Sequence, residues 1–189
     1  MRTQGLYDPA FEHDSCGVGF VCDIKGQKSN AIVKQGIEVL YRLAHRGAVG
    51  ADPKTGDGAG ILIQTPHDFF KKESRAMKIP LPDYGKYGVG LIFLPQDKKE
   101  RARCKEIFEE TVKQEGQEIL GWRKVPIDDS GIGESARRTQ PVFEQVFIGR
   151  NKDIEDELVF ERKLYVIRRR VENAVSESGI SQKSYFYIT

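Results

Sequence analysis

Cysteine is scarce in this sequence: three residues among 189, Cys16, Cys22 and Cys104, with no Cys-x-x-Cys pair. That excludes a multi-bridge disulfide framework, and reduced thiols in a cytoplasmic setting are the simpler reading. Histidine is equally sparse. His13, His45 and His67 match no helix-borne ligand pair and no short zinc pattern, even with Cys16 and neighbouring carboxylates added, so no metal is expected. Long hydrophobic runs are missing as well. No stretch of about twenty apolar residues offers a bilayer span, and residues 1–15 lack the apolar centre of an export signal. Charge of one sign is not in excess: 30 basic against 28 acidic residues give +2, so no bulk field favours nucleic acid or an anionic membrane as partner. The basic run Arg168-Arg169-Arg170 reads as a solvated helix face flanked by Glu161 and Glu172.

What is there fits one domain or part of one. Hydrophobic residues make up 39% and the mean hydropathy is −0.50, lean for a compact enzyme and suited to a piece that packs against more protein. "CGVGFVCDI" places Val18, Phe20 and Cys22 on one face and predicts a strand with Cys22 in the core. "SNAIVKQGIEVLYRLAHRG" predicts a helix with Ser29 or Asn30 as N-cap and Gly47 as its stop. A glycine-rich loop, "GAVGADPKTGDGAG", leads to an expected strand, "ILIQT", and to a helix start, "PHDFFKKESRAM". "YGVGLIFLP" is the clearest buried strand, and "DKKERARCKEIFEETVKQEG" an amphipathic helix with Cys104, Ile107, Phe108 and Val112 on its stripe. "ILGWRKVPID" and "PVFEQVFIG" predict further strands. Residues 153–179 predict a long helix with Leu158, Leu164, Ile167, Val171 and Ala174 or Val175 inward. The final "KSYFYIT" alternates as a strand with no turn after it, so a longer protein cut inside a sheet is expected.

Three motifs carry candidate chemistry. The loop "GADPKTGDGAG" fails as a Walker A element, because Lys54-Thr55 does not follow the required glycines, and as an EF-hand, because Pro53 and Lys54 occupy ligand positions. It opens a strand rather than a helix, the wrong context for a dinucleotide fingerprint. A nucleotide-binding protein is thereby disfavoured, and a tight structural turn explains the loop alone. His67, after Pro66, suits a surface or capping position at a helix start. Cys104 lies on an apolar stripe and reads as core. Cys16 differs: it opens its segment, follows the polar "HDS" and precedes Gly17, which leaves the thiol open. It has no obvious base, because His13 is three residues away. It is either an ordinary strand residue or a nucleophile whose base is its own α-amine, released by a cut after Ser15 with a reference pKa of about 8.

"HDSCGVGF" followed by "LYRLAHRGAVGADPKTGDGAGILIQTPHDFF" resembles the N-terminal class II glutamine amidotransferase domain of glutamate synthase large subunits. The likeness extends through "FERKLYVIRRR" to "SYFYIT". It implies an α+β fold, the N-terminal-nucleophile hydrolase αββα four-layer sandwich. Residues 1–15 would be a propeptide, and 16–189 the first part of an amidotransferase domain that continues further. Cys16 would be the catalytic nucleophile, attacking the glutamine side-chain amide to give a γ-glutamyl thioester and ammonia. Arg46 would be an active-site residue, with a helix C-terminal role as its alternative, and Gly47 with the 50–60 loop would frame the pocket. No cofactor is implied for this segment; FMN and an iron–sulfur cluster belong to the remainder of such enzymes. Glutamine, downstream synthase domains, and a small reductase subunit or ferredoxin are the implied partners, and the setting is cytoplasmic. The oxyanion-hole Asn-Gly pair is expected beyond residue 189. A docking or regulatory module that keeps the fold without catalysis is the second reading.

Overall fold

The structure, a computed structural model, describes residues 17–50 and 52–189. The chain divides into two compact units, one of Thr65–Asp129 with Thr139–Thr189, the other of Met1–Gln64 with Ser130–Arg138. Cys16 and the expected propeptide, residues 1–15, lie outside the described residues.

The larger unit is built on a four-stranded antiparallel sheet in the order β2-β3-β1-β4: β1 Tyr87–Leu94, β2 Glu118–Lys124, β3 Val142–Gly149 and β4 Tyr187–Ile188. β1 and β3 pair along their full length, from Tyr87 opposite Gly149 to Leu94 opposite Val142. Period-two alternation then sorts the side chains. Ile92, Leu94, Val146 and Ile148 face two helices, α3 (Lys98–Gln114) and α5 (Glu157–Glu177). From those helices come Cys104, Ile107, Phe108 and Val112, and Ile167, Val171 and Val175. A fully buried side chain of this size contributes about 1.5–3 kcal/mol, so this helix–sheet layer holds the unit together. The helix sits close because Gly88 of β1 leaves room for Leu164; a Cβ there would come within 2.5 Å of Leu164 Cδ1. On the opposite face Tyr87 and Phe147 pack on Phe70 of α2 (His67–Ala76). Further along that face Phe93 meets Phe143 and Tyr187 edge-on, with ring centroids 5.0 and 5.9 Å apart.

Cys104 is buried as expected, and desolvation pushes its thiol up to about 11, the state of an inert core cysteine. Two details differ from expectation here. Leu158 is 55% exposed, and Phe160 holds the inward position on that turn of α5. Only Tyr187 and Ile188 of the last segment form strand, because Lys183–Tyr185 makes a 3-10 turn first.

The smaller unit contains α1 (Asn30–Arg42), capped by Ser29 Oγ accepting from Ile32 N at 3.3 Å, and the five-residue α4 (Glu134–Arg138). None of the residues of α1 is buried. The two strands expected here are not formed: residues 17–24 and 61–65 have no strand pairing. Val18 and Leu62 are 91% and 98% exposed, and Cys22, expected in the core, is exposed and free. The alternating pattern is present, but a strand needs a partner for its backbone N–H and C=O groups, and no described residue supplies one.

Candidate functional site

The site grows from the end of α1. The helix stops at Arg42, with Leu43 N donating back to Val39 and Leu40 carbonyls at 3.0 and 3.1 Å. Ala44–Arg46 continue as one 3-10 turn, closed by Gly47 N donating to Ala44 O at 3.2 Å. His45 is turned back, its Nδ1 2.9 Å from Arg42 O, and so serves the helix end. Arg46 is exposed, and its Cγ lies 3.4 Å from the point where a Cβ on Gly17 would stand. Leu43 Cδ2 is 2.9 Å from the same point. The helix end is therefore packed against the residue that follows Cys16, and a side chain at 17 would have to displace Leu43. Gly47 has φ −82° and ψ 154°, extended backbone that any residue adopts.

After Gly47 the loop is a closed hairpin. Gly50 N donates to Thr55 O at 2.8 Å, Asp57 N to Ala48 O at 3.0 Å, and Val49 bridges Gly56. The Asp57 carboxylate accepts from Ala48 N at 2.8 Å, completing the closure. Gly56 is obligatory, because a Cβ would stand 2.5 Å from Ala48 O. At the tip, the Asp52 carboxylate accepts from Thr55 Oγ1 at 2.9 Å, Lys54 N at 3.1 Å and Ser135 Oγ at 3.0 Å. These bonds, led by that from Lys54 N, hold the Asp52 carboxyl below its ordinary range.

Of the expected site residues, the structure brings Arg46 and Gly47 onto one turn beside Gly17; Cys16 itself lies outside the described residues. The sequence reading placed Asp52 only within the framing 50–60 loop and missed its partners Gly133 and Ser135. Their signal was faint, an Asp inside a glycine loop and a "SGIGES" stretch, and nothing linear joins residues 83 apart. Among the described residues no group of three His, Cys, Asp or Glu side chains is placed to hold a metal, and no helix is long and apolar enough to cross a membrane.

The chain is similar to the "Glutamate synthase [NADPH] large chain" of Bacillus subtilis (strain 168), 49% identical over 98% of this chain and 12% of the relative. It is 46% identical to the protein of the same name from Azospirillum brasilense, over all of this chain and again 12% of the relative. It is 37% identical to "Ferredoxin-dependent glutamate synthase 1, chloroplastic/mitochondrial" of Arabidopsis thaliana, over 98% of this chain and 11% of that protein. The chain thus spans about an eighth of the length of these relatives. Residues 16–189 match the family described as glutamine amidotransferases class-II. With a match that covers nearly the whole chain and opens at Cys16, this protein belongs to the class-II glutamine amidotransferases.

Proposed function

We propose that this chain is the nucleophile-bearing part of a glutaminase that supplies ammonia for glutamate synthesis. One observation carries the reading: the family match opens at Cys16, and the 3-10 turn bearing Arg46 packs against the next residue, Gly17. A cut after Ser15 frees the α-amine of Cys16. That amine takes the thiol proton, and the thiolate attacks the side-chain carbonyl carbon of glutamine. The proton returns to the departing nitrogen, ammonia leaves, and a γ-glutamyl thioester remains; water then adds, the C–S bond breaks and glutamate is released. Arg46, on the turn packed against Gly17, supplies a positive charge for the substrate, while Gly47 gives the ligand room.

The antiparallel sheet with α3 and α5 on one face supports an αββα sandwich as the complete fold, with the aromatic row Phe93, Phe143 and Tyr187 on the other face. In the complete enzyme ammonia passes to a synthase domain holding FMN and an iron–sulfur cluster, where 2-oxoglutarate is aminated and reduced. The names of the relatives point to a nicotinamide nucleotide or ferredoxin as electron source. The free thiols Cys22 and Cys104 suit a cytoplasmic setting.

Intact mass of the purified full-length protein is expected to show a chain beginning at Cys16, and 6-diazo-5-oxo-norleucine, a glutamine-like electrophile, is expected to label that residue. A Cys16→Ala protein that still hydrolyses glutamine would overturn the proposal. Retention of residues 1–15 with no labelling would instead favour a docking module, since a tethered Cys16 has no free amine.

A further inference from the structure

The glycine loop after Arg46 is closed on itself, but its tip is held by a second segment of the chain. Ser135 Oγ donates to Asp52 Oδ2 at 3.0 Å and stands 3.1 Å from Thr55 Oγ1, while Gly133 N donates to Lys54 O at 2.9 Å. Ser135 lies in the first turn of α4, so one carboxylate ties the hairpin tip to the start of that helix. Gly133 is buried, and a Cβ there would overlap both the Asp52 carboxylate and the Thr55 hydroxyl. The contact is therefore tight on both sides. Its other end is Gly47 and Arg46, which precede the backbone pairs Gly50 with Thr55 and Ala48 with Asp57.

We infer that Asp52, seated on Gly133 and Ser135, is a positioning residue that fixes the 47–57 hairpin and so sets where Arg46 and Gly47 stand for the glutamine substrate. The inference rests on the glutaminase reading above. It assigns to Asp52 no contact with substrate: the carboxylate is saturated by Lys54, Thr55 and Ser135. Its effect is geometric. Displacing a positioning group by about 1 Å can cost about 10²-fold in rate, far more than the few hydrogen bonds would suggest.

Two changes 81 residues apart attack the same contact: Asp52→Ala removes the acceptor, and Gly133→Ala pushes a methyl into it. In the full-length protein, 6-diazo-5-oxo-norleucine labelling of Cys16 separates a saturation constant from a limiting rate for each titrated site. Hydrogen exchange of the 48–57 amides reports the hairpin. Both variants are expected to raise the saturation constant about tenfold or more and to speed hairpin exchange, leaving β1 and β3 protected. Asp52→Asn keeps an acceptor oxygen and recovers part of the loss. Because both changes break one contact, the double variant is no worse than the worse single one. A general loss of folding would lower the number of labelled sites without moving either constant. Unchanged constants in the two variants, or unchanged exchange of the hairpin, overturn the inference while leaving the glutaminase reading in place. A wild-type protein that is never labelled at Cys16 overturns both.

Discussion

Gly47 and Gly133 are equivalent on paper, yet the structure asks different things of them. A Cβ at Gly133 has nowhere to go, whereas one at Gly47 would lie 3.5 Å from Ala44 O, an ordinary contact, on backbone that alanine adopts freely. Gly47→Ala is therefore expected to change stability by no more than about 0.5 kcal/mol in a thermal melt. If Gly47 leaves room for glutamine, the same variant loses about tenfold or more in Cys16 labelling; unaltered labelling would remove Gly47 from the pocket. A second residue-scale case is Arg123, 7% exposed on the α2 side of the sheet. Its Nη2 donates to Glu73 at 2.7 Å and its Nη1 to Gln145 Oε1 at 3.0 Å. Removing one partner of a fully buried pair costs about 3–5 kcal/mol, but Glu73 is 36% exposed and water can reach the gap. Glu73→Ala is thus expected to cost about 1–3 kcal/mol by urea unfolding. Glu73→Gln, which keeps an acceptor, should cost less.

At the scale of elements, α3 begins at a knot that no local pattern announces. Asp97 caps the helix, accepting from Lys99 N and Glu100 N at 2.9 Å each. Glu100 in turn accepts from Ser181 Oγ at 2.6 Å, Gln182 N at 2.9 Å and Ser181 N at 3.0 Å, tying the helix start to the segment after α5. These bonds, led by the Ser181 hydroxyl, hold the Glu100 carboxyl below its usual value. A carboxyl lowered on folding stabilises the fold above its unfolded pKa, about 4.3, and loses that contribution as pH falls through the folded value. Glu115, accepting from Lys163 and Arg170, acts in the same sense. Glu100→Gln should therefore lower the urea midpoint at pH 7 and flatten its decline between about pH 5 and 3 without abolishing it; an acid limb as steep as wild type would refute the assignment. The sequence made helices α1, α3 and α5 and the strands β1 to β3 legible because each carries its own period and, in α1, its own cap. It made segments 17–24 and 61–65 look like strands because alternation is a property of the segment, while strandedness is a property of a pair. The motif singled out Arg46 and Gly47 as candidates and the 50–60 loop as their frame; the contact of Asp52 with Ser135 was not legible, since residues 83 apart leave no linear trace.

Across the whole molecule, apolar burial is unevenly distributed. Every described hydrophobic residue of the core, from Phe70 to Ile188, belongs to the larger unit. The smaller unit has an amphipathic helix with no buried residue, and Phe20, Ile24 and Leu62 stand in water. It is held by hydrogen bonds of the hairpin and the Asp52 cluster, each worth about 0.5–1.5 kcal/mol net, against an ordering cost of about 1–2 kcal/mol for every backbone residue fixed. In this 189-residue chain the two units should therefore open with different free energies. Hydrogen exchange is expected to find the amides of β1, β3 and α5 protected to the level of global unfolding, and those of α1 and residues 17–24 exchanging at least about 10²-fold faster. The fast amides should slow in a longer polypeptide whose added residues pair with 17–24 and 61–65, because strand pairing and burial of Val18, Phe20 and Leu62 then arrive together. Uniform protection across α1 and β1 in the 189-residue chain would contradict this, since no apolar core in the smaller unit could account for it.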